Sequence, residues 1–284
     1  MAERLSDIVT QTRNIRQLNA VVTAMRGIAA SRAQRGRALL AGIEAYTAVI
    51  SNAIGEALTL LPADGVAVQE RAGAKRGLIL FCAEQGFAGA FSERVFDAAG
   101  TDIGGAVTFI VGTRGAAVAG ERGITPDWSD AMTTRIDGIA DFANRLAEVL
   151  YGYLARRAIA KVDILFARSV AGSIRIDRHS LLPIDFTRFA RPQRQQPPLI
   201  TLAPQALLER LAAEYVYAQL CEAAMQAFVA ENDARMAAMA AAKNNTESKL
   251  AALKQREQQL RQEEITTEIV ELATGAEASR TTPA

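Results

Sequence analysis

Residues 8–50 read IVTQTRNIRQLNAVVTAMRGIAASRAQRGRALLAGIEAYTAVI. Every seventh residue from Ile8 is small or apolar, giving Ile8, Ile15, Val22, Ala29, Gly36, Ile43 and Ile50, and an interleaved series gives Leu18, Met25, Arg32, Leu39 and Tyr46. With no proline before Pro62, this heptad stripe predicts one long helix that needs a partner along its length. A second proline-free run, from Leu207 to about Leu272, carries Leu208, Leu211, Tyr215, Ala218, Met225, Val229, Met236 and Met239, then Leu250, Leu253, Leu260, Ile265, Ile269 and Leu272. Helices of about 55 and 70 residues, rising about 1.5 Å per residue, span on the order of 80 and 105 Å, more than one domain core covers. The two are expected to pair, with the second projecting beyond the first.

Between them the periodicity changes. Pro62, Asp64, Gly65 and Gly73 break the first helix, and the apolar run from Gly77 to Cys82 fits a buried strand. A turn through Gln85-Gly86-Phe87-Ala88-Gly89 follows, then a short helix near Ser92–Ala99, a second strand at Val107–Gly112 and another short helix at Thr113–Gly120. Asp141–Arg157 is amphipathic, Val162–Ala167 is a third strand, and Ser173–Asp177 with Leu181–Ile184 suggests strands pairing at a sheet edge. Strands alternating with helices imply a small, mainly parallel, Rossmann-like α/β sheet. The polar, proline-broken stretch Arg191–Pro198 reads as a linker. The expected fold class is therefore α/β with long helices: an antiparallel two-helix coiled coil made by the terminal segments, with an inserted α/β domain. The expected boundaries are 1–61 and 205–277 for the coiled coil, 75–190 for the insertion, 191–204 for the linker and 278–284 for a disordered tail.

The net charge of +1 gives no general reason to expect nucleic acid as a partner. Its distribution says more. The first forty residues hold Arg4, Arg13, Arg16, Arg26, Arg32, Arg35 and Arg37 against Glu3 and Asp7, while the C-terminal end is rich in Glu257, Glu263, Glu264, Glu268, Glu271 and Glu277. Antiparallel helices would bring complementary ends together, and at about 0.3–0.5 kcal/mol per exposed pair this selects register more than it stabilises. Ala29, Ala30, Ser31, Ala33 and Gly36 on one helix, and Ala237, Ala238, Ala240, Ala241 and Ala242 on the other, would allow a close approach. The polar stretch Lys243–Lys249 then interrupts the second stripe.

Cys82 and Cys221, a strand and a helix residue far apart in sequence, read as two buried thiols in a reducing compartment. No continuous apolar run approaches the roughly 20 residues that cross a bilayer. Glu3 and Asp7 already follow the helical pattern, which argues against a signal or transit peptide. The expectation is a cytoplasmic protein that meets a membrane only through partners.

Recognisable chemistry is sparse. Gly86 and Gly89 lack the dinucleotide fingerprint and the Lys-Ser/Thr of a P-loop, so a tight turn is expected there. His179, the single histidine, has no cysteine or acidic cluster at ligand spacing, and Asp141 with Glu148 fits an exposed helix face. No catalytic residue, cofactor or metal site is expected. An α/β-domain enzyme with oligomerising helical arms would need a polar site the sequence does not display. A passive coiled-coil scaffold remains an alternative.

Three motifs are more specific. Ala24-Met25-Arg26-Gly27-Ile28-Ala29-Ala30-Ser31-Arg32 resembles the Ala-Met-x-Met-Val-Ala-Ala-Ser-Lys signature in the first helix of the γ subunit of F-type ATP synthases. Ala234-Arg235-Met236-Ala237-Ala238-Met239 is similar to that family's Ala-Arg-Met-x-Ala-Met. The stretch Arg261–Ala276 resembles its Arg-Gln-x-x-Ile-Thr-x-Glu-Leu-x-Glu-Ile-x-x-Gly-Ala. The chain departs from the family where Ala83–Ser92 replaces Ser-Asp-Arg-Gly-Leu-Cys-Gly-Gly-Leu-Asn, at Gly27 and Arg32, and at Glu263-Glu264. Such drift fits a divergent branch, such as an alternative bacterial enzyme carried beside a housekeeping one.

The resemblance implies a central-stalk rotor that couples ion flow to ATP synthesis or hydrolysis. It implies as partners the α and β subunits of the catalytic hexamer, the ε subunit and the membrane c-ring, at the cytoplasmic face of the bacterial inner membrane. By motif position it carries hexamer contacts to Met25, Arg261, Gln262, Thr266 and Glu268, and Arg26 and Arg32 join them on electrostatic grounds. On the stripe alone Met25 would pack inside the coiled coil. Arg32 would need an acid on the second helix or access to solvent, since an unpaired buried charge costs about 3–5 kcal/mol.

Overall fold

The computed structural model describes residues 5–62, 74–170, 172–192 and 198–280, with side chains described as far as residue 273. The helix break through Asp64, Gly65 and Gly73, the middle of the expected linker and residues 281–284 of the expected tail lie outside these residues. The first long helix, α1, covers Leu5–Thr59, and the last, α5, covers Pro204–Arg280, so α5 starts earlier and runs further than its apolar pattern indicates. Two compact units are present: residues 1–28 with 237–284, and residues 29–236.

In the larger unit, β1 (Lys75–Phe81) is followed by α2 (Phe91–Ala99), β2 (Val107–Val111), α3 (Thr113–Glu121), β3 (Trp128–Asp130), α4 (Ile139–Ala155), β4 (Ile159–Val170) and β5 (Ser173–Leu182). The five strands order as β3-β2-β1-β4-β5, all parallel except the last, which runs antiparallel to β4. β1 is central, and its Leu78, Ile79, Leu80 and Phe81 are wholly buried because both faces are covered. Alternation sends them to two cores. Ile79 and Phe81 pack with Phe109, with Phe142 and Leu146 of α4, and with Val216, Leu220 and Phe228 of α5; Leu78 and Leu80 pack with α2 and α3 through Phe91, Val95, Phe96 and Val118.

The two edge segments expected around Ser173 and Leu181 are one strand, β5, paired with β4 almost to its end. Trp128–Asp130 shows no apolar run, yet it pairs with β2 as Phe109–Val111 supply an open parallel edge.

The heptad stripe holds in its first series and shifts in its second. In the smaller unit Ile8 and Val22 are buried together with Thr12, and in the larger unit Ala29, Gly36 and Ile54 are buried together with Ala33. Leu18, Leu39 and Tyr46, expected on the seam, are exposed at 48%, 49% and 39%. The inward partners are Thr12, Asn19, Ala33, Leu40, Thr47 and Ile54, one residue further along the chain, except that Arg26 is exposed while Met25 stays half-buried. A heptad accepts either spacing, and small or β-branched side chains at the seam let the backbones approach more closely than Leu or Tyr would.

Within the larger unit the close approach occurs at Gly36, where an added Cβ would stand 2.6 Å from Val229 Cγ2 and 3.5 Å from Phe228 Cδ1. We expect Gly36→Leu to destabilise the chain by about 1–3 kcal/mol through overpacking, read as a lower urea midpoint at unchanged slope. Arg37 and Asp233, 2.5 Å apart, pin the same two helices. In the acidic C-terminal end, Glu257 pairs with Arg261 and Glu263 with Arg256, all on α5.

By length and composition α1 contains a window apolar enough to cross a membrane, at mean hydropathy 1.3, contrary to the sequence expectation. Only 11% of that window is buried, and some apolar side chains in the second half of α1 serve the fold. Ile54, Ala57 and Leu58 cluster with Leu208, while Leu40 and Ile43 pack against the core beneath α4.

Candidate functional site

Both halves of the smaller unit carry exposed apolar side chains among the described residues. On α1, Leu18, Val21 and Ile28 are about half exposed and flank Met25, which is half-buried, and Arg26, which is exposed. At spacings of three and seven residues they line one face of the helix. Met25 therefore sits at the margin of the seam, between packing and display.

On α5 the seam ends before the helix does. Thr246 and Leu253 are the last two buried positions, and Thr246 Oγ1 lies 3.1 Å from Asn19 Oδ1, so the polar stretch Lys243–Lys249 meets a polar partner on α1. From Arg261 to Ala273 every residue is exposed. Arg261, Gln262, Thr266 and Glu268 all lie on this stretch; Arg261 is held by Glu257 at 2.7 Å, and the Thr266 hydroxyl donates to the Gln262 carbonyl at 2.8 Å. Beside them Ile265, Ile269 and Leu272, exposed at 57%, 60% and 75%, form a continuous apolar stripe.

Arg32 stands apart from this group, in the larger unit. Its guanidinium meets the amide oxygen of Gln85 at 3.5 Å and remains partly solvated, the second of the two outcomes expected for it, an acid on the second helix or access to solvent. It lines a cleft of 480 Å³ with Arg35, Arg135 and Asp137.

The turn expected at Gly86 and Gly89 is present, with Gly89 at φ 62° and Phe87 also in the left-handed region, also at φ 62°. Holding Phe87 there costs about 1–2 kcal/mol, so the surroundings must fix it. They do so through residues to which the sequence reading assigned no role. Arg235 donates to the carbonyls of Gln85 and Gly86 at 3.0 and 3.1 Å, while the Glu231 carboxylate accepts the amides of Glu84 and Gln85 at 3.0 and 3.2 Å and pairs with Arg235. Both side chains are more than nine-tenths buried. The available signal was two opposite charges four residues apart in a segment otherwise reading as core.

The remaining chemical candidates resolve into structure. Cys82 and Cys221 are free and buried; burial, reinforced by nearby carboxylates, pushes the Cys82 thiol well above its ordinary value, and burial raises Cys221 too, so neither is a ready nucleophile. His179 lies on β5 with its ring edge-to-face on Phe166, centroids 5.1 Å apart. Asp141 and Glu148 are exposed on α4.

Comparison with known proteins fits this arrangement. The ATP synthase gamma chain of Kineococcus radiotolerans is 27% identical, over 98% of this chain and 97% of its own. Among solved structures, a chain of the Euglena gracilis mitochondrial ATP synthase, from its OSCP/F1/c-ring structure, superposes with a TM-score of 0.67 at 10% identity, covering 99% of this chain and 97% of that one. A chain from the Tetrahymena thermophila mitochondrial ATP synthase central stalk and c-ring gives a TM-score of 0.52 at 14% identity, over 78% and 99% of the two chains. The family model described as ATP synthase matches residues 4–278, nearly the full length, and the chain therefore belongs to the ATP synthase family.

Proposed function

We propose that this chain is the central-stalk rotor subunit of an F-type ATP synthase, coupling ion flow through the membrane sector to ATP synthesis or hydrolysis. The observation that carries the reading is the exposed apolar stripe at Ile265, Ile269 and Leu272, in a chain aligned end to end with gamma chains. The terminal helices, 1–61 and 205–277, act as the shaft, and the α/β insertion, 75–190, rests with the lower shaft on the ε subunit and the c-ring.

The chain contributes no bond-making chemistry of its own. Met25, Arg26, Arg32, Arg261, Gln262, Thr266 and Glu268 present different surfaces to the β subunits of the surrounding hexamer as the shaft turns. A ligand shifts a conformational equilibrium only by its differential affinity for the two states, and an asymmetric shaft supplies that difference to each β subunit in turn. The membrane is reached through partners, at the cytoplasmic face of a bacterial inner membrane.

Reconstitution with an α/β hexamer tests this. The chain alone is expected to hydrolyse no ATP, and the assembled complex to turn it during hydrolysis; ATP turnover by the isolated chain, or a complex in which it stays fixed, rejects the proposal. Ile269→Ser, at a 60% exposed position, should change the stability of the isolated chain by no more than about 0.5 kcal/mol while weakening its binding to the hexamer.

A further inference from the structure

From Ala223 to Arg235 helix α5 has no exposed residue, and its three charged side chains there are Glu231, Asp233 and Arg235. Asp233 pins α1 through Arg37, and the other two grip the loop after β1. The grip is unusual in being made to backbone. Two consecutive amides, of Glu84 and Gln85, and two consecutive carbonyls, of Gln85 and Gly86, are taken by one carboxylate and one guanidinium that also pair with each other. Backbone cannot rotate away from such contacts as a surface side chain can.

The same loop extends the connection. The Glu84 carboxylate accepts the Thr113 amide at 2.9 Å, the Thr113 hydroxyl at 2.8 Å and the Met132 amide at 2.8 Å, tying the loop to the start of α3 and to the chain just beyond β3. An unbroken path of charge-assisted hydrogen bonds thus runs from α5, through residues 84–86, to the start of α3 and the chain beyond β3. Apolar packing between α5 and the sheet is non-directional and resists sliding poorly, whereas these bonds weaken steeply on misalignment.

We infer that Glu231 and Arg235 are positioning residues forming a stiff joint through which helix α5 and the α/β sheet turn as one body, an inference that rests on the rotor reading above. The joint matters only under torque. Without it the sheet would lag behind the helix, and part of each step would be spent on twisting the connection rather than on turning the ring.

The experiment uses the assembled enzyme with a bead attached at Ala98→Cys, an exposed position on α2, the native cysteines being buried. Glu231→Gln should leave ATP hydrolysis in place, widen the angular spread of the bead at each pause and lower the ions pumped per ATP. Ile54→Val, which trims a separate buried cluster containing none of the joint's neighbours, should widen nothing. Unchanged spread and pumping in Glu231→Gln, or equal widening in Ile54→Val, overturns the inference. A bead that never rotates on the unmutated enzyme refutes the rotor reading instead. Should Glu231→Gln fail to assemble, hydrogen exchange on the full chain decides. Lost protection at the Glu84 and Gln85 amides that passes on to Thr113 and Met132 supports the joint, and loss confined to the first two overturns it.

Discussion

Arg235→Ala is expected to lower the unfolding free energy by about 3–5 kcal/mol, because it removes one partner of a buried ion pair and leaves the Glu231 charge behind. The pair is 6% and 7% exposed, so water cannot take over the lost contacts without opening the helix–sheet interface. The loop adds to the cost. The carbonyls of Gln85 and Gly86 lose their donor, and Phe87 loses part of what holds it in the left-handed region. For this reason replacing both charges, as in Glu231→Met with Arg235→Met, should not restore stability as apolar replacement of a simple buried pair often does: four backbone groups stay unpaired. Urea unfolding of the full chain measures both. A loss below about 1 kcal/mol in Arg235→Ala would mean that the loop finds other partners.

Phe142→Ala should be comparably severe, at about 3–5 kcal/mol, through a different mechanism. Phe142 on α4 is completely buried and meets Phe81 of the central strand edge-to-face, with ring centroids 6.3 Å apart. It also lies under the Arg145 guanidinium, 5.8 Å from its centroid. Truncation empties space beside β1, where flanking parallel strands hold the backbone and prevent collapse into the cavity. Calorimetry should show the loss as a lowered melting temperature. Phe142→Leu, which keeps most of the volume, should recover the larger part of it.

The long helices and the three principal strands were legible because their signals are local and repetitive. Ile8 to Ile50 repeats its heptad spacing six times, and Gly77–Cys82 and Val107–Gly112 are short apolar runs bounded by turns. The second seam series was misread at Leu18, Leu39 and Tyr46 because bulky apolar residues look like core, whereas this seam selects the small and polar Thr12, Asn19 and Ala33. β3 was missed because Trp128-Ser129-Asp130 has no strand pattern of its own and is recruited by the open edge of β2.

As for the candidate site, the stretch around Arg261 was singled out by its motif, and its exposure agrees with a second helix expected to project beyond the first. The joint at Arg235 was invisible for a plainer reason. Its partners lie about 150 positions away in the sequence, and nothing local distinguishes an i,i+4 pair that faces solvent from one that closes on a distant loop.

The larger core also has a consequence for how the protein is made. The face of the sheet carrying Ile79, Phe81 and Phe109 is completed by Val216, Leu220, Ala224 and Phe228, all from α5, the final helix of the chain. During synthesis the strands and α4 leave the ribosome while this part of the lid is still untranslated. The nascent chain therefore carries an open aromatic face until the last helix emerges, which is the stage at which aggregation competes with folding and a chaperone has most to shield.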